Sequence, residues 1–436
     1  MMTILVFIII LGILVFVHEL GHFVVARRNG IKAHEFGFGF PPRIVGIQFM
    51  QGKSKEKFSE IESIQVETMD IKKGKDEIIR ETITEKIHTV EKTVPVRKWR
   101  IIWGSRDGDD ENEQQDLHEA HKKKFIGGTI YSLNWFPIGG FVKIKGEDGE
   151  GKKDDDSFAS KSPWIRIKVL AAGVLMNFIL AWFLLSATFM LGSYQDVTGE
   201  DVPDSKILIE SIEKNSPAEK MGLKIGDVIT KDGNENVFYS VKQVQEYINS
   251  NRGNEVTLVV QRGNRQFEFT GTPRLETSDG QGALGISGLG EVVMIKYPFF
   301  QSIKMGLVDI GNMFIAIGQI FSKLFHGESA GVEVMGPVKL AMFTGQIIPL
   351  GFVFILRFIA IFSVNLGIIN LLPFPALDGG RILFILIEKI KGSPVSQKVE
   401  QAFHTVGMLL LLALMLFITV REIFTPELIA KIKGII

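Results

Sequence analysis

Apolar positions along this 436-residue chain are gathered into blocks rather than spread evenly. Four runs match the roughly 20 apolar residues that a bilayer-crossing helix needs. They are Met2 to Ala26, Val169 to Gly192, Ile347 to Leu372 and Ala402 to Val420. These runs predict membrane helices over 1–26, 165–192, 347–372 and 402–420. A different pattern occupies Ile303, Leu307, Ile310, Phe314, Ile317, Phe321 and Leu324. Steps of four and three put all seven on one helical face. The expectation is an amphipathic helix over 299–325 that does not span, packed on a neighbouring domain or lying on the outer membrane surface.

Two polar regions separate the runs. Residues 27–164 hold a charged insert, 52–124, with 16 Lys/Arg and 17 Asp/Glu. Its first part alternates apolar and polar positions, as at Ile61, Ile64, Val66 and Ile83, which predicts β-hairpins. Its later part, 107–124, reads as a solvated loop. Residues 205–275 read as a compact module. Ser216-Pro217 opens a helix with an N-cap and a first-turn proline. Val241 to Asn249 is a second helix, with strands at Ile207–Ile209 and Glu255–Arg262.

The first run lacks a basic n-region and a small-x-small cleavage site, so it is read as retained. Basic residues near helix ends set orientation. Arg27, Arg28 and Lys32 follow the first run, and Lys161, Arg166 and Lys168 border the second. Arg381, Lys389, Lys391 and Lys398 lie between the third and fourth. All these flanks belong on the cytoplasmic side, which leaves 193–346 outside.

The formal net charge is zero, which argues against a nucleic-acid partner. Cysteine is absent, which excludes a disulfide framework, a cysteine nucleophile and thiolate metal ligands.

The chemistry begins with His18-Glu19-Leu20-Gly21-His22. On a helix, residues i and i+4 share a face, so both imidazoles can hold one Zn²⁺ while Glu19 takes a proton from water. Ionisable groups inside a membrane helix are costly and are read as functional. A catalytic zinc takes three protein ligands, and without cysteine the third must be Asp, Glu or His. Asp378 is the best candidate, in Asn370-Leu371-Leu372-Pro373-Phe374-Pro375-Ala376-Leu377-Asp378-Gly379-Gly380 directly after the third run. Prolines there break the helix and glycines permit close backbone approach.

With these motifs in hand, the chain resembles the bacterial site-2 proteases, zinc intramembrane endopeptidases of the RseP type. H-E-x-x-H in the first span and Leu377-Asp378-Gly379 after the third match that family's metal motifs. Ser363 to Pro373, Pro137 to Lys143, Gly336-Pro337-Val338 and Gly173-x-x-x-Asn177 match as well. The resemblance implies a polytopic α-helical membrane protein of about four transmembrane helices. It adds a membrane-associated β-hairpin region and an inserted PDZ domain, here 205–275, outside the bacterial cytoplasmic membrane. It implies one Zn²⁺ per chain on His18, His22 and Asp378, with Glu19 as the catalytic base near the cytoplasmic side. Asn370, Asn365, Phe38 and Gly39 are implied as substrate-binding residues, with Gly173 and Asn177 tightening packing near the metal. The implied partners are the lipid bilayer, single-pass transmembrane substrates such as pre-trimmed anti-sigma factors or signal-peptide remnants, and a peptide C-terminus at the PDZ domain.

Two other readings compete: a PDZ scaffold whose zinc is a structural clip, and a metalloprotease acting on soluble peptides. Glu19 speaks against the clip, which needs no base. His118 and His121 read as solvated, His34 as interfacial, and His88, His326 and His404 have no partner at metal spacing.

Overall fold

The computed structural model describes residues 2–73, 76–104, 125–149, 151–197, 205–213, 215–263, 265–277, 282–328, 335–393 and 395–424. The loop expected at 107–124 lies outside them.

Helix α1, Met2–Arg28, opens the chain. Helix α2, Pro163–Leu191, starts with proline in its first turn, where a missing N–H is harmless. It is the central column of the helical part, touching α1 and three later helices. One of these is α7, Phe352–Leu371; another is α8, Asp378–Lys391. Ile10 and Leu14 of α1 pack with Phe358 of α7, and Ala181, Leu184 and Leu185 of α2 pack with Ala360 and Val364. Helix α9, Gln397–Ile423, closes the described chain, with Leu409, Leu410, Leu416 and Phe417 exposed. Apolar surface of this extent on long apolar helices fits lipid rather than water.

The third neighbour of α2 is α5, Phe299–Phe325. Its bounds agree with the sequence expectation, but its standing does not. Among the described residues five helices, not four, are long and apolar enough to cross a membrane, and α5 is the fifth. It runs antiparallel along α2. Gly306 sits against Ser186, Ile310 joins the core of Ala181 and Leu185, and the Phe314 ring lies 5.2 Å from that of Phe178. Asp309, which made the helix look amphipathic, pairs with Arg357 of α7 at 3.2 Å. A polar face that is used inside the bundle cannot be told from a wet one by periodicity.

Strands β1 (Ala33–Lys73), β2 (Asp76–Trp103) and β3 (Phe125–Ile144) form an antiparallel sheet in the order β2-β1-β3. The alternating stretch of the charged insert lies in one ladder that runs from Val45↔Trp103 to Lys73↔Asp76. Beyond it β3 folds back on β1 twice, since Phe36 pairs with both Tyr131 and Val142. Ile47, Phe49, Trp99, Ile101 and Trp103 leave an exposed apolar face on this sheet. The sheet meets α1 where Phe23 stacks on Phe36 with centroids 4.7 Å apart.

A second sheet of six antiparallel strands has the order β4-β9-β5-β6-β7-β8. Its strands are β4 (Ser193–Asp196), β5 (Lys206–Ile212), β6 (Val228–Asp232), β7 (Val256–Arg262), β8 (Arg265–Gly271) and β9 (Ile286–Ile295). Helices α3, Pro217–Met221, and α4, Val241–Ser250, cover it. Ser216 and Ser240 cap both helices by accepting backbone N–H bonds. Val244 and Ile248 of α4 share a core with Ile207, Leu258 and Leu284. The unit is therefore wider than 205–275, because β9 pairs with β5 and brings in the core residues Ala283 and Leu284.

Candidate metal centre

His18 and His22 sit one turn apart on α1 and are 6% and 7% exposed. Their rings face Gly173 of α2 so closely that a Cβ there would run into His22 Nε2 and lie 2.8 Å from His18 Cε1. Each ring is held from behind. His22 Nδ1 donates to the Val169 carbonyl at 2.8 Å, which puts the ring's proton on Nδ1 and leaves the Nε2 lone pair facing inward. His18 Nδ1 meets the Asn177 side-chain amide at 3.2 Å. Asn177 is fully buried, and its backbone carbonyl accepts the Ser363 hydroxyl of α7 at 2.7 Å. Partners of this kind fix the ring orientation of histidine ligands.

The third donor arrives from a different helix. Helix α7 ends at Leu371 and α8 begins at Asp378. The chain doubles back so tightly that a Cβ on Gly379 would collide with the Leu371 and Leu372 carbonyls, and one on Gly380 with that of Phe374. That is the physical need for the paired glycines. The turn sets Asp378 Oδ2 at 3.0 Å from His18 Nε2 and 3.3 Å from His22 Nε2, while the two Nε2 atoms lie 3.1 Å apart. Oδ2 is buried and makes no well-formed hydrogen bond.

Three lone-pair donors converge on one point. Bonds of about 2.0–2.1 Å to a tetrahedral zinc put ligand atoms roughly 3.3 Å apart, close to this triangle. Among the described residues, His18, His22 and Asp378 are the one group of three such side chains placed to hold a metal ion.

A cavity of about 560 Å³ opens on this triangle, its wall including Glu19, Asn370 and Arg381. Val142 of β3 lines the same cavity as Glu19. Of the other residues singled out in the sequence, Asn365, Phe38 and Gly39 are not part of the cavity wall. Phe38 packs edge-on against Phe16 of α1 at 5.9 Å, and the Gly39 carbonyl accepts the Asn134 side chain at 2.8 Å. The sequence reading missed three ionisable residues of the wall. Arg381, one turn after Asp378, pairs with Glu147 from the turn after β3. His404 of α9 also lines the cavity. Its ionisable ring inside an apolar run was the signal available for it.

A profile of peptidase family M50 matches residues 6–58 and 118–414, most of the chain. The chain belongs to that family. It is 32% identical to the regulator of sigma-W protease RasP of Bacillus subtilis, over 97% of this chain and 98% of the relative. It is 31% identical to the zinc metalloprotease RasP of Bacillus licheniformis, over 97% and 99% of the two chains. A putative zinc metalloprotease of Clostridium perfringens matches at 30% identity over 95% and 96%. This M50 chain is thus a zinc metalloprotease, and with its long apolar helices it is a multi-pass membrane protein.

Proposed function

We propose that this M50 protease hydrolyses peptide bonds within the transmembrane segments of single-pass proteins, using zinc held by His18, His22 and Asp378. The observation that carries the reading is the place of Glu19. It shares a cavity with the three donors, between helices whose outer surfaces are apolar. Zinc, when bound, supplies a Lewis acid that acidifies water and polarises a carbonyl. Glu19 takes the proton of the attacking water and returns it to the nitrogen of the departing amine. Asn370, in the cavity wall, holds the substrate backbone by its amide. Asn365 stands five residues earlier on α7, and the Phe38-Gly39 segment flanks α1, so both act on the substrate outside the cavity itself.

Hydrolysis needs an unwound substrate, because a helix hides its carbonyls. The 137–144 part of β3 is suited to pair with such a segment by strand addition. The protein resides in the bacterial cytoplasmic membrane, with the metal near the cytoplasmic side, as the basic flanks require. The unit containing 205–275 is an extracytoplasmic PDZ domain that screens substrates or binds a peptide C-terminus. A membrane-anchored anti-sigma factor is the substrate class that the name of the Bacillus subtilis relative points to.

The test is Glu19→Gln, which keeps size and helix propensity but removes the base. Zinc content should stay at one per chain, and cleavage of a single-pass reporter should fall by about 10²–10⁴-fold or more. Parent-like cleavage with zinc retained rules the mechanism out.

A further inference from the structure

Asp378 is held from a direction that neither metal motif explains. The turn before it passes through Ala376 at φ +68°, a left-handed conformation that a residue with a Cβ adopts only when its surroundings enforce it. The enforcing contact comes from α9. The Ala376 backbone N–H donates to His404 Nδ1 at 2.9 Å. One turn further along α9, Gly407 is buried against Pro375, and a Cβ there would collide with the proline ring. The His404 ring also packs on Phe384 of α8, with centroids 5.7 Å apart. One face of α9 therefore grips the left-handed residue and the proline before it. Two residues later the chain delivers Asp378 Oδ2 to the histidine pair.

We infer that His404 is a positioning residue for the metal centre: by accepting the Ala376 N–H it fixes the 373–378 turn, and so the place of the Asp378 carboxylate. The inference rests on the reading of Asp378 as a zinc ligand. His404 itself does not touch the metal; it acts one step removed, through the backbone. Its contribution is directional. Acceptance at Nδ1 leaves the ring's proton on Nε2, which is buried and makes no hydrogen bond, so the ring has one polar anchor. A side chain that fills the same volume without an acceptor leaves the Ala376 N–H unpaired and the left-handed turn unsupported.

The geometry separates three substitutions. Asparagine places its Oδ1 close to the position of Nδ1 and can accept the same bond. Glutamine reaches instead to the position of Nε2. Leucine fills space with no acceptor. The measurement is the rate of zinc loss from the detergent-purified full chain to an excess of chelator, beside the visible spectrum of the cobalt-substituted protein. Indirect partners of metal ligands typically contribute 10–100-fold in affinity. His404→Leu and His404→Gln should therefore lose zinc roughly 10–100-fold faster than the parent and shift the cobalt bands, while His404→Asn stays near the parent. Should His404→Leu not fold, the Asn and Gln pair makes the same comparison. Equal loss in all variants, or parent-like retention in Leu and Gln, overturns the inference. Asp378→Ala is run alongside. If it releases zinc and the His404 variants do not, the ligand reading stands and the inference fails. If it keeps zinc at the parent rate, the ligand reading fails and the inference falls with it.

Discussion

Gly173 of α2 and His22 of α1 are so close that no side chain fits between them. The contact forces the glycine and tells what an alanine must do. Gly173→Ala should push the His22 ring off its Val169 bond, so zinc content should fall well below one per chain and reporter cleavage by orders of magnitude. The helices themselves should persist, since the change adds one methyl group. Metal analysis with circular dichroism checks both halves. Full zinc occupancy in the variant would mean that the rings move without loss of the donor triangle.

Zinc should also stabilise the fold. A ligand that binds only the native state at a hundred times its Kd contributes about 2.7 kcal/mol. Chelator treatment should abolish cleavage and lower the melting temperature in detergent, and added zinc should restore both. Asp378→Ala should show little response of melting temperature to zinc. The expected contrast is read from melts of the two proteins across one zinc titration.

The Asp309–Arg357 pair ties α5 to α7, and Arg357 also donates to Ser193 at 3.2 Å. Breaking a fully buried pair costs about 3–5 kcal/mol. Here the Arg357 side chain is 36% exposed, so Asp309→Asn should cost less, roughly 1–2 kcal/mol after allowance for screening. The exchanged double variant, Asp309→Arg with Arg357→Asp, should recover part of that. If Asp309→Asn leaves thermal stability unchanged, the pair does not dock α5.

Asp232 in the six-stranded unit offers a pH handle. Burial pushes its carboxyl upward, but the Asn236 side chain and the backbone N–H groups of Asn236 and Asn234 donate to it and outweigh that, holding it below the usual carboxylate range. The folded state then binds protons less readily than the unfolded one. The stabilisation is complete above the unfolded pKa of about 3.9 and is lost as pH falls through the lower folded value. Protection of the β6 and β7 amides against hydrogen exchange, corrected for intrinsic rate, should fall across that acid window. In Asp232→Ala it should already be low at neutral pH, with a flatter acid slope.

The spans and the metal donors were legible because each has a local signature. An apolar run announces a helix, and H-E-x-x-H needs only the 3.6-residue period to place two rings together. Asp378 needed one long-range step, from the end of one span to the end of another. The standing of α5 was not legible, because the residue that absorbs the charge of Asp309 is 48 positions away. Nor was the edge of the six-stranded unit, since β9 joins β5 across about 75 residues that themselves read as a complete module. His404 was passed over because it was judged by metal spacing, whereas its partner is a backbone N–H whose direction depends on the left-handed turn at Ala376.

The far end of α9 carries a second clasp. Glu422, buried in an apolar helix, accepts the backbone N–H groups of Gly336, Val338 and Lys339 at 2.6, 3.2 and 3.3 Å. It thereby caps the start of helix α6, Pro337–Ile347, from 86 residues downstream. The order in which the chain leaves the ribosome gives this arrangement a meaning in time. The histidines are made first and Asp378 much later, yet α6 has no cap until the last described helix has been threaded into the bilayer. A nascent chain halted before residue 422 owns every metal donor, and His404 as well, but leaves the first turn of α6 uncapped. Assembly of this protease thus ends by closing a helix that was begun 86 residues earlier.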